Sequence, residues 1–200
     1  MKTELIMATN NAHKLEEVRQ ILGTAFMVKG LNDIGCTEDI PETADTLEGN
    51  ALQKARYIHE HYGVDCFADD TGLEVDALGG APGVFTARFG AMNGYGESHD
   101  ADANIECLLD KLKDAETRTA RFRTVIALVQ GDREILFEGI VEGEILHQRV
   151  GEEGFGYDPI FAPLEADGLA FAQMSAKAKN AISHRGRATK KLAKFLCNEQ

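Results

Sequence analysis

The 200-residue sequence lacks several features that assign proteins to well-defined classes. No apolar run approaches the roughly 18 residues of a membrane-spanning helix. Residues 1–9 also lack the basic start and the long apolar stretch of a signal peptide. There are no internal repeats, low-complexity segments or Pro- or Ser-rich linkers, so we predict a single domain over residues 1–200. We expect it to work in the cytoplasm, away from membranes.

Closely spaced cysteine pairs are also missing. The four cysteines, at positions 36, 66, 107 and 197, include no CxxC motif and no zinc-knuckle spacing. Because nothing else marks the chain as secreted, we predict four separate, reduced thiols.

Positive charge is scarce. The chain has 21 Lys and Arg against 33 Asp and Glu, which gives a formal net charge of −12. A surface this acidic repels phosphate backbones and anionic lipids, so we expect neither nucleic-acid nor membrane binding. A small anionic ligand is still compatible with this charge, provided that a metal ion or a local basic cluster offsets it.

The first forty-five residues alternate between strand-like and helical patterns. Residues 4–8 and 26–28 suit buried strands. The apolar spacing of residues 15–22 predicts a helix that ends at Gly23. Residues 31–45 are polar and predict a loop.

A second helix and a strand follow. Asp45, with Glu48 three residues later, resembles a capping-box helix start, and Gly63 is a plausible stop. Residues 64–68 predict a strand that ends at Asp69-Asp70.

The second half of the chain combines glycine-rich loops with a hairpin. Residues 71–100 contain seven glycines and little regular pattern, which is typical of a functional segment. Residues 101–112 predict a helix, and the runs 121–129 and 134–145 around Gly131-Asp132 predict a hairpin. Together these patterns indicate an α/β protein with a mixed sheet.

One candidate phosphate site lies where the first strand turns into the first helix. Backbone N–H groups and the helix dipole favour an anion there, and side chains of this turn add donors and a cation. The alternative is a capped helix start with a surface lysine. The segment is Thr9-Asn10-Asn11-Ala12-His13-Lys14, and no P-loop motif occurs anywhere in the chain.

A candidate metal site is formed by acidic residues. Asp69 and Asp70 precede Thr71 and a glycine at the predicted end of a strand, where ligands of open α/β sheets gather. Carboxylate oxygens suit Mg²⁺, which bridges to phosphates. Glu42, before the second helix, is by itself a surface residue. The alternative for the aspartate pair is a capped surface turn.

Two further segments suit a flat, polar ligand. Glycines flank Phe155 in residues 151–159, which leaves its ring open to a base, and Asp158 could accept hydrogen bonds from ring N–H groups. A loop with Phe155 in the core is equally compatible. Residues 176–196 hold seven Lys and Arg and no acidic residue. Lys179 lies there, near a predicted helix break at residues 184–186, where side chains can converge.

Six stretches together resemble the inosine triphosphate pyrophosphatase family, and they cover essentially the whole chain in order. They are ATNNAHK at 8–14, EGNALQKA at 48–55, ADDTGL at 68–73, LGGAPGV at 78–84 with TAR at 86–88, GFGYDP at 154–159 and SHRG at 183–186. Two departures are mild: Asn10 stands where the family often has Gly, and Thr71 where it often has Ser.

The resemblance implies a fold, an activity and a set of site residues. The fold is an elongated mixed β-sheet flanked by helices, with two lobes around a central substrate cleft. The activity is Mg²⁺-dependent hydrolysis of ITP, dITP or XTP to the monophosphate and pyrophosphate by a homodimer, which cleanses the nucleotide pool. Asp70 is implied as catalytic residue and metal ligand, and Glu42 as second metal ligand. The implied substrate contacts are Thr9, Asn10, Asn11, Ala12, His13, Lys14, Thr71 and Lys179, with Phe155, Gly156, Tyr157, Asp158, His184 and Arg185 recognising the base.

Three other hypotheses stay open from the residues themselves. The chain could be a phosphohydrolase of modified pyrimidine triphosphates, with the same phosphate site and another base pocket. It could be a nucleotide sensor without turnover, although adjacent carboxylates would weaken pure binding of a triphosphate. It could also be an interaction protein with an acidic surface, which leaves the glycine-rich loops unexplained.

Overall fold

The computed structural model describes residues 3–198, which form six helices and seven strands. In chain order these elements are β1 Thr3–Met7, α1 Ala12–Leu22, β2 Phe26–Lys29, α2 Leu47–Tyr62, β3 Cys66–Val75, β4 Pro82–Gly83, α3 Phe89–Met92, α4 Ala101–Lys111, β5 Thr119–Gln130, β6 Arg133–Ile145, β7 Phe161–Pro163, α5 Ala176–Ile182 and α6 His184–Asn198.

The strands pair into one mixed sheet of order β2-β1-β3-β5-β6-β7, with β4 paired to β3. β1 runs parallel to β2 and to β3, whereas β3–β4 and β6–β7 are antiparallel. A two-residue connection joins β5 to β6, which is the hairpin that the sequence predicts. The α/β class with a mixed sheet and flanking helices is therefore confirmed.

The chain divides into two compact units, each with its own apolar core. The first unit holds the chain up to Asp70, Thr124–Gly139 and the chain from His184 onward. Its core joins β1, α1, β2 and α6. The second unit holds Thr71–Arg123 and Ile140–Ser183. Its core includes aromatic residues, with Phe122, Phe161 and Phe171 in mutual ring contact. That residues 1–200 behave as a single domain stays a prediction.

Most predicted helix boundaries agree with the structure because they depend on local capping. Asn11 caps α1, and its side chain accepts hydrogen bonds from two backbone N–H groups. Gly23 and Gly63 end α1 and α2 with positive φ angles of 59° and 65°, which glycine adopts without strain. The predicted break in the C-terminal helix lies at Ser183, one residue before the predicted position.

Two predicted boundaries were wrong. The N-cap of α2 is Thr46 and not Asp45, because the Thr46 side chain accepts the hydrogen bond from the Gly49 N–H, at 3.0 Å. The strand predicted to end at Asp69-Asp70 continues to Val75. Both aspartates therefore lie in the middle of β3, where successive side chains point to opposite faces of the sheet.

Among the described residues, no helix combines the length and the apolar character needed to cross a membrane.

The cysteines are free thiols, as the sequence predicts, and they differ in exposure. Cys36, Cys66 and Cys107 are buried, whereas Cys197 is exposed. Burial raises the pKa of the Cys66 thiol to about 12, so little reactive thiolate forms there. We expect one thiol to react rapidly with a thiol reagent in the native protein, and all four after denaturation. Rapid reaction of two or more native thiols would contradict this burial.

Candidate active site

Four charged side chains of the first unit form a ring of alternating sign. Lys14 Nζ lies 3.3 Å from Asp69 Oδ1 and 3.2 Å from Asp69 Oδ2. Arg185 Nε donates to Asp69 Oδ2 at 3.2 Å, and its Nη1 pairs with Glu17. Because Lys14 and Glu17 both belong to α1, the ring begins and ends on that helix and links it to β3 and α6.

A second chain of contacts lies beside this ring. Lys54 Nζ donates to the Asp69 carbonyl at 2.8 Å, pairs with Glu42 and lies 3.8 Å from Asp70 Oδ1. Asn50 Nδ2 donates to Asp70 Oδ2 at 3.1 Å, and Asn50 Oδ1 accepts from the Ala44 N–H. Asp70 is thus held at one oxygen by an amide, while its other oxygen lies nearest an ammonium.

The two neighbouring aspartates have opposite electrostatics. Burial opposes ionisation of Asp69, but Lys14, Arg185 and Lys54 outweigh it and hold its pKa well below the usual range. Asp69 is therefore ionised at neutral pH and loses its charge only in strong acid. Burial raises the pKa of Asp70, an effect that Lys54 and Lys14 only partly offset. Of the pair, Asp70 is the carboxylate better suited to take up a proton.

Local sequence explains how these residues reach one place. Asn50 and Lys54 are four residues apart on α2, so they lie on the same helix face. α6 begins close to β6, because a Cβ at Gly139 would lie 2.0 Å from the His184 carbonyl oxygen. Only glycine permits this approach, and it places Arg185, which is 2% exposed, inside the unit.

The turn before α1 is organised by its own side chains. Asn11 Oδ1 accepts from the N–H groups of His13 and Lys14, at 3.0 and 3.1 Å, and the Asn11 N–H donates to Thr9 Oγ1 at 3.1 Å. The sequence predicts free backbone donors for an anion here. That prediction needs correction, because Asn11 already satisfies two of them. Lys14 joins the charged ring, whereas Asn10, Asn11, Ala12 and His13 are exposed.

The predicted base-recognition loop belongs to the second unit. Asp158 Oδ2 accepts from the Phe155 N–H at 2.8 Å and from Lys179 Nζ at 2.7 Å. The Lys179 ammonium lies 4.9 Å from the centre of the Phe155 ring, which is half-buried. At residue 154, where φ is +79°, a Cβ would lie 2.1 Å from Asp158 Oδ2, so glycine is required. Gly156 turns the loop with a φ of 61°.

The structure also shows the surroundings of four further predicted substrate contacts. Tyr157 is 4% exposed, and its hydroxyl donates to the Thr86 carbonyl, so it packs in the core. The Arg185 guanidinium, predicted to donate to the base, is buried between two carboxylates of the first unit. His184 is buried beside β6. Thr71 follows Asp70 along β3, is half-buried and belongs to the second unit.

Comparisons with known proteins now identify the family. The model of the Ham1 family matches residues 5–195. This chain belongs to the Ham1 family. It is 53% identical to a dITP/XTP pyrophosphatase of Porphyromonas gingivalis, over 96% of this chain and 97% of that protein. It is 48% identical to a dITP/XTP pyrophosphatase of Flavobacterium psychrophilum, over 98% of this chain and 100% of that protein.

A solved structure agrees with this membership. The Staphylococcus aureus Ham1 protein is 38% identical, superposes with a TM-score of 0.86, and the match covers 99% of this chain and 100% of that one. Over the residues that the structure describes, this chain therefore has a Ham1 fold.

A divalent cation is compatible with the carboxylates of this Ham1 member. Glu42 and Asp70 both approach the Lys54 ammonium, so one positive charge is within reach of both carboxylates. Within residues 3–198, no group of three or more His, Cys, Asp or Glu side chains is arranged to hold a metal. Two carboxylates, completed by substrate phosphates and water, are the usual ligand set of Mg²⁺.

Sequence reasoning missed Lys54, Asn50 and Glu17 as site residues. A signal for the first two was present, because they interrupt the apolar stripe formed by Ala51, Ala55 and Ile58 on α2. Buried Lys and Asn on such a stripe need partners inside the protein. Glu17 gave no such signal, since a glutamate on a helix is ordinarily on the surface.

Proposed function

We propose that this chain hydrolyses dITP, ITP and XTP to the nucleoside monophosphate and pyrophosphate. The observation that carries the proposal is the pair of adjacent aspartates. Asp69 is paired with two cations. Asp70 accepts a hydrogen bond from an amide and has a raised pKa. The names of the curated relatives supply the substrates.

Charge balance explains why such a site needs a divalent cation. The cluster contains three cations, Lys14, Lys54 and Arg185, against four carboxylates, those of Glu17, Glu42, Asp69 and Asp70. It therefore offers no net positive charge to a triphosphate, which carries about four negative charges at neutral pH. We infer that Glu42 and Asp70 hold Mg²⁺. When bound, the ion supplies neutralisation of the phosphate oxygens.

Asp70 acts as the general base in this proposal. Asn50 fixes one carboxylate oxygen, so the other has a defined direction in which to accept a proton from water. The water oxygen attacks the α-phosphorus, the bond to the bridging oxygen breaks, and pyrophosphate leaves with the electron pair. In the absence of the ion, burial raises the pKa of Asp70 and makes it the stronger proton acceptor of the two aspartates.

Asp69 is a positioning residue in the same proposal. Its carboxylate holds the Lys14 ammonium, and its carbonyl holds that of Lys54. Ammonium groups fixed in this way need no reorganisation when charge develops on the leaving pyrophosphate. The two aspartates thus have different roles: Asp69 orients cations, and Asp70 accepts the proton.

For the nucleobase, we propose stacking on Phe155. Its ring is half-buried, and its loop is tied to Lys179 through Asp158. A 6-oxo purine accepts a hydrogen bond where adenine donates one, so a donor facing that position selects against ATP by up to about 10⁴-fold. That His184 or Arg185 supplies this donor stays a prediction. The Arg185 guanidinium is already paired with two carboxylates, which argues against Arg185 as the donor.

The test is pyrophosphate release from dITP, ITP, XTP, GTP, ATP and a modified pyrimidine triphosphate at matched concentrations. Each is measured with Mg²⁺ and with EDTA. We expect fast release from the first three, at least about 100-fold slower release from ATP, and loss of activity in EDTA. Orthophosphate as the product would mean that another phosphoanhydride bond is cleaved. Tight binding without any release would favour a sensor, and a preference for modified pyrimidine triphosphates would move the base pocket to another class.

The cytoplasmic location, the homodimer and the absence of nucleic-acid partners stay predictions from the sequence.

A further inference from the structure

Thr86 in the second unit connects two segments through its hydroxyl group. The Leu73 N–H of β3 donates to Thr86 Oγ1 at 2.8 Å, and Thr86 Oγ1 in turn donates to the Gly83 carbonyl at 2.6 Å. The hydroxyl therefore closes the turn of residues 83–86 and fastens it to β3.

The Thr86 carbonyl oxygen accepts a hydrogen bond from the Tyr157 hydroxyl, at 2.9 Å. Tyr157 is 4% exposed and packs within the core of its unit. It lies two residues after Phe155 and one residue before Asp158. The bond to Thr86 is therefore an attachment in the middle of the loop that we propose for the base.

Other contacts hold different parts of this loop. Its ends are tied by backbone hydrogen bonds, from Val150 N–H to the Pro159 carbonyl at 2.9 Å and from Glu152 and Glu153 N–H to the Ala172 carbonyl at 3.1 and 3.0 Å. Within the loop, Asp158 relates the Phe155 backbone to Lys179. The Tyr157 hydroxyl links the middle of the loop to the 83–86 turn.

We propose that Thr86 is a positioning residue for base selection, and that it acts through Tyr157 on the Phe155 ring. The inference rests on the proposed function, since it concerns the same site. Without the hydrogen bond from the Tyr157 hydroxyl, the ends of the loop and its Asp158–Lys179 pair stay attached. The loop then loses its connection through Thr86 to β3. The ring is then less fixed in position, and the site distinguishes 6-oxo purines from 6-amino purines less well.

The first variant is Tyr157→Phe, which removes only the hydroxyl. Its matched control is Tyr95→Phe, because Tyr95 Oη also donates one hydrogen bond in the second unit, to Asp110 Oδ2 at 2.7 Å. The readouts are kcat/KM for ITP and for ATP, together with the melting temperature. We expect Tyr157→Phe to lower the ITP-to-ATP ratio about tenfold, less than the roughly hundredfold loss that a 1 Å misplacement can cause. The ratio of Tyr95→Phe should equal that of the wild type.

A second pair of variants tests Thr86 itself. Thr86→Val keeps the shape and loses the hydroxyl, whereas Thr86→Ser retains it. We expect Thr86→Val to lower the ratio and Thr86→Ser to restore it. If Thr86→Val does not fold, Tyr157→Phe alone decides.

The outcomes separate this inference from the proposed function. A wild type that does not distinguish ITP from ATP overturns the proposed function, and this inference with it. A wild type that distinguishes them, with an unchanged ratio in Tyr157→Phe, overturns the inference only. If kcat/KM falls equally for both substrates and in step with the melting temperature, the Tyr157 hydrogen bond contributes to stability alone. That result also overturns the inference.

Discussion

Replacing Asp70 with asparagine should lower kcat by about 10²- to 10⁴-fold, the usual contribution of a general base, with the fold intact. Asparagine has nearly the same shape but cannot accept the proton. The matched control is Asp45→Asn, because Asp45 is exposed on the loop before α2 in the same unit. Steady-state pyrophosphate release and circular dichroism of both variants provide the measurement. Near-normal turnover by Asp70→Asn would remove Asp70 from the mechanism.

The pH profile offers a second test of the same residue. Below its pKa, Asp70 already carries a proton and cannot accept another, so kcat/KM should rise with pH and then level off. Burial raises the pKa of Asp70 and a bound Mg²⁺ would lower it, so this rise should move to lower pH as the Mg²⁺ concentration increases. Asp69 and Glu42 have lowered pKa values and titrate at lower pH. An acid limb that persists unchanged in the residual activity of Asp70→Asn would assign the titration to another group.

Replacing Arg185 with methionine should destabilise the protein by about 3 kcal/mol, because removing one partner of a buried ion pair leaves the others uncompensated. Asp69 and Glu17 would both lose the guanidinium, and Asp69 has a fully buried side chain. Lys194→Met on the exposed face of α6 is the matched control and should change the free energy of unfolding by no more than about 0.5 kcal/mol. Urea unfolding followed by circular dichroism measures both.

The same variant separates the two interpretations of Arg185. If the guanidinium braces Asp69, Arg185→Met loses stability and its kcat falls on every substrate. If it reads the base, as the sequence indicates, stability is kept and the ITP-to-ATP ratio collapses. Arg185→Lys should recover part of the stability, because an ammonium keeps the charge but cannot bridge both carboxylates as a planar guanidinium does.

The predicted features that the structure bears out depend on short stretches of chain. The glycine stops at 23 and 63 and the two-residue hairpin between β5 and β6 were predictable. Capping and turn formation involve neighbours within about four residues, so a local pattern carries them. The Asp45 cap failed for the same local reason, because Thr46 competes for the same hydrogen bond.

The length of β3 could not be predicted in the same way. Asp69 and Asp70 have low strand propensity, and a polar run after an apolar strand normally marks its end. In the structure, β3 continues through them because Leu73 and Val75 enter the core of the second unit. Tertiary packing therefore overrides the local preference.

The sequence by itself determined the α/β class, the family and the chemical inventory of the site, because these depend on residue types and their order. Only the tertiary structure decided which charges meet. Arg185 reaches Asp69 across 116 positions and Glu17 across 168, and Tyr157 reaches Thr86 across 71. Such partners are brought together when distant segments of the chain pack, and no periodicity or spacing along the sequence indicates which residues will meet.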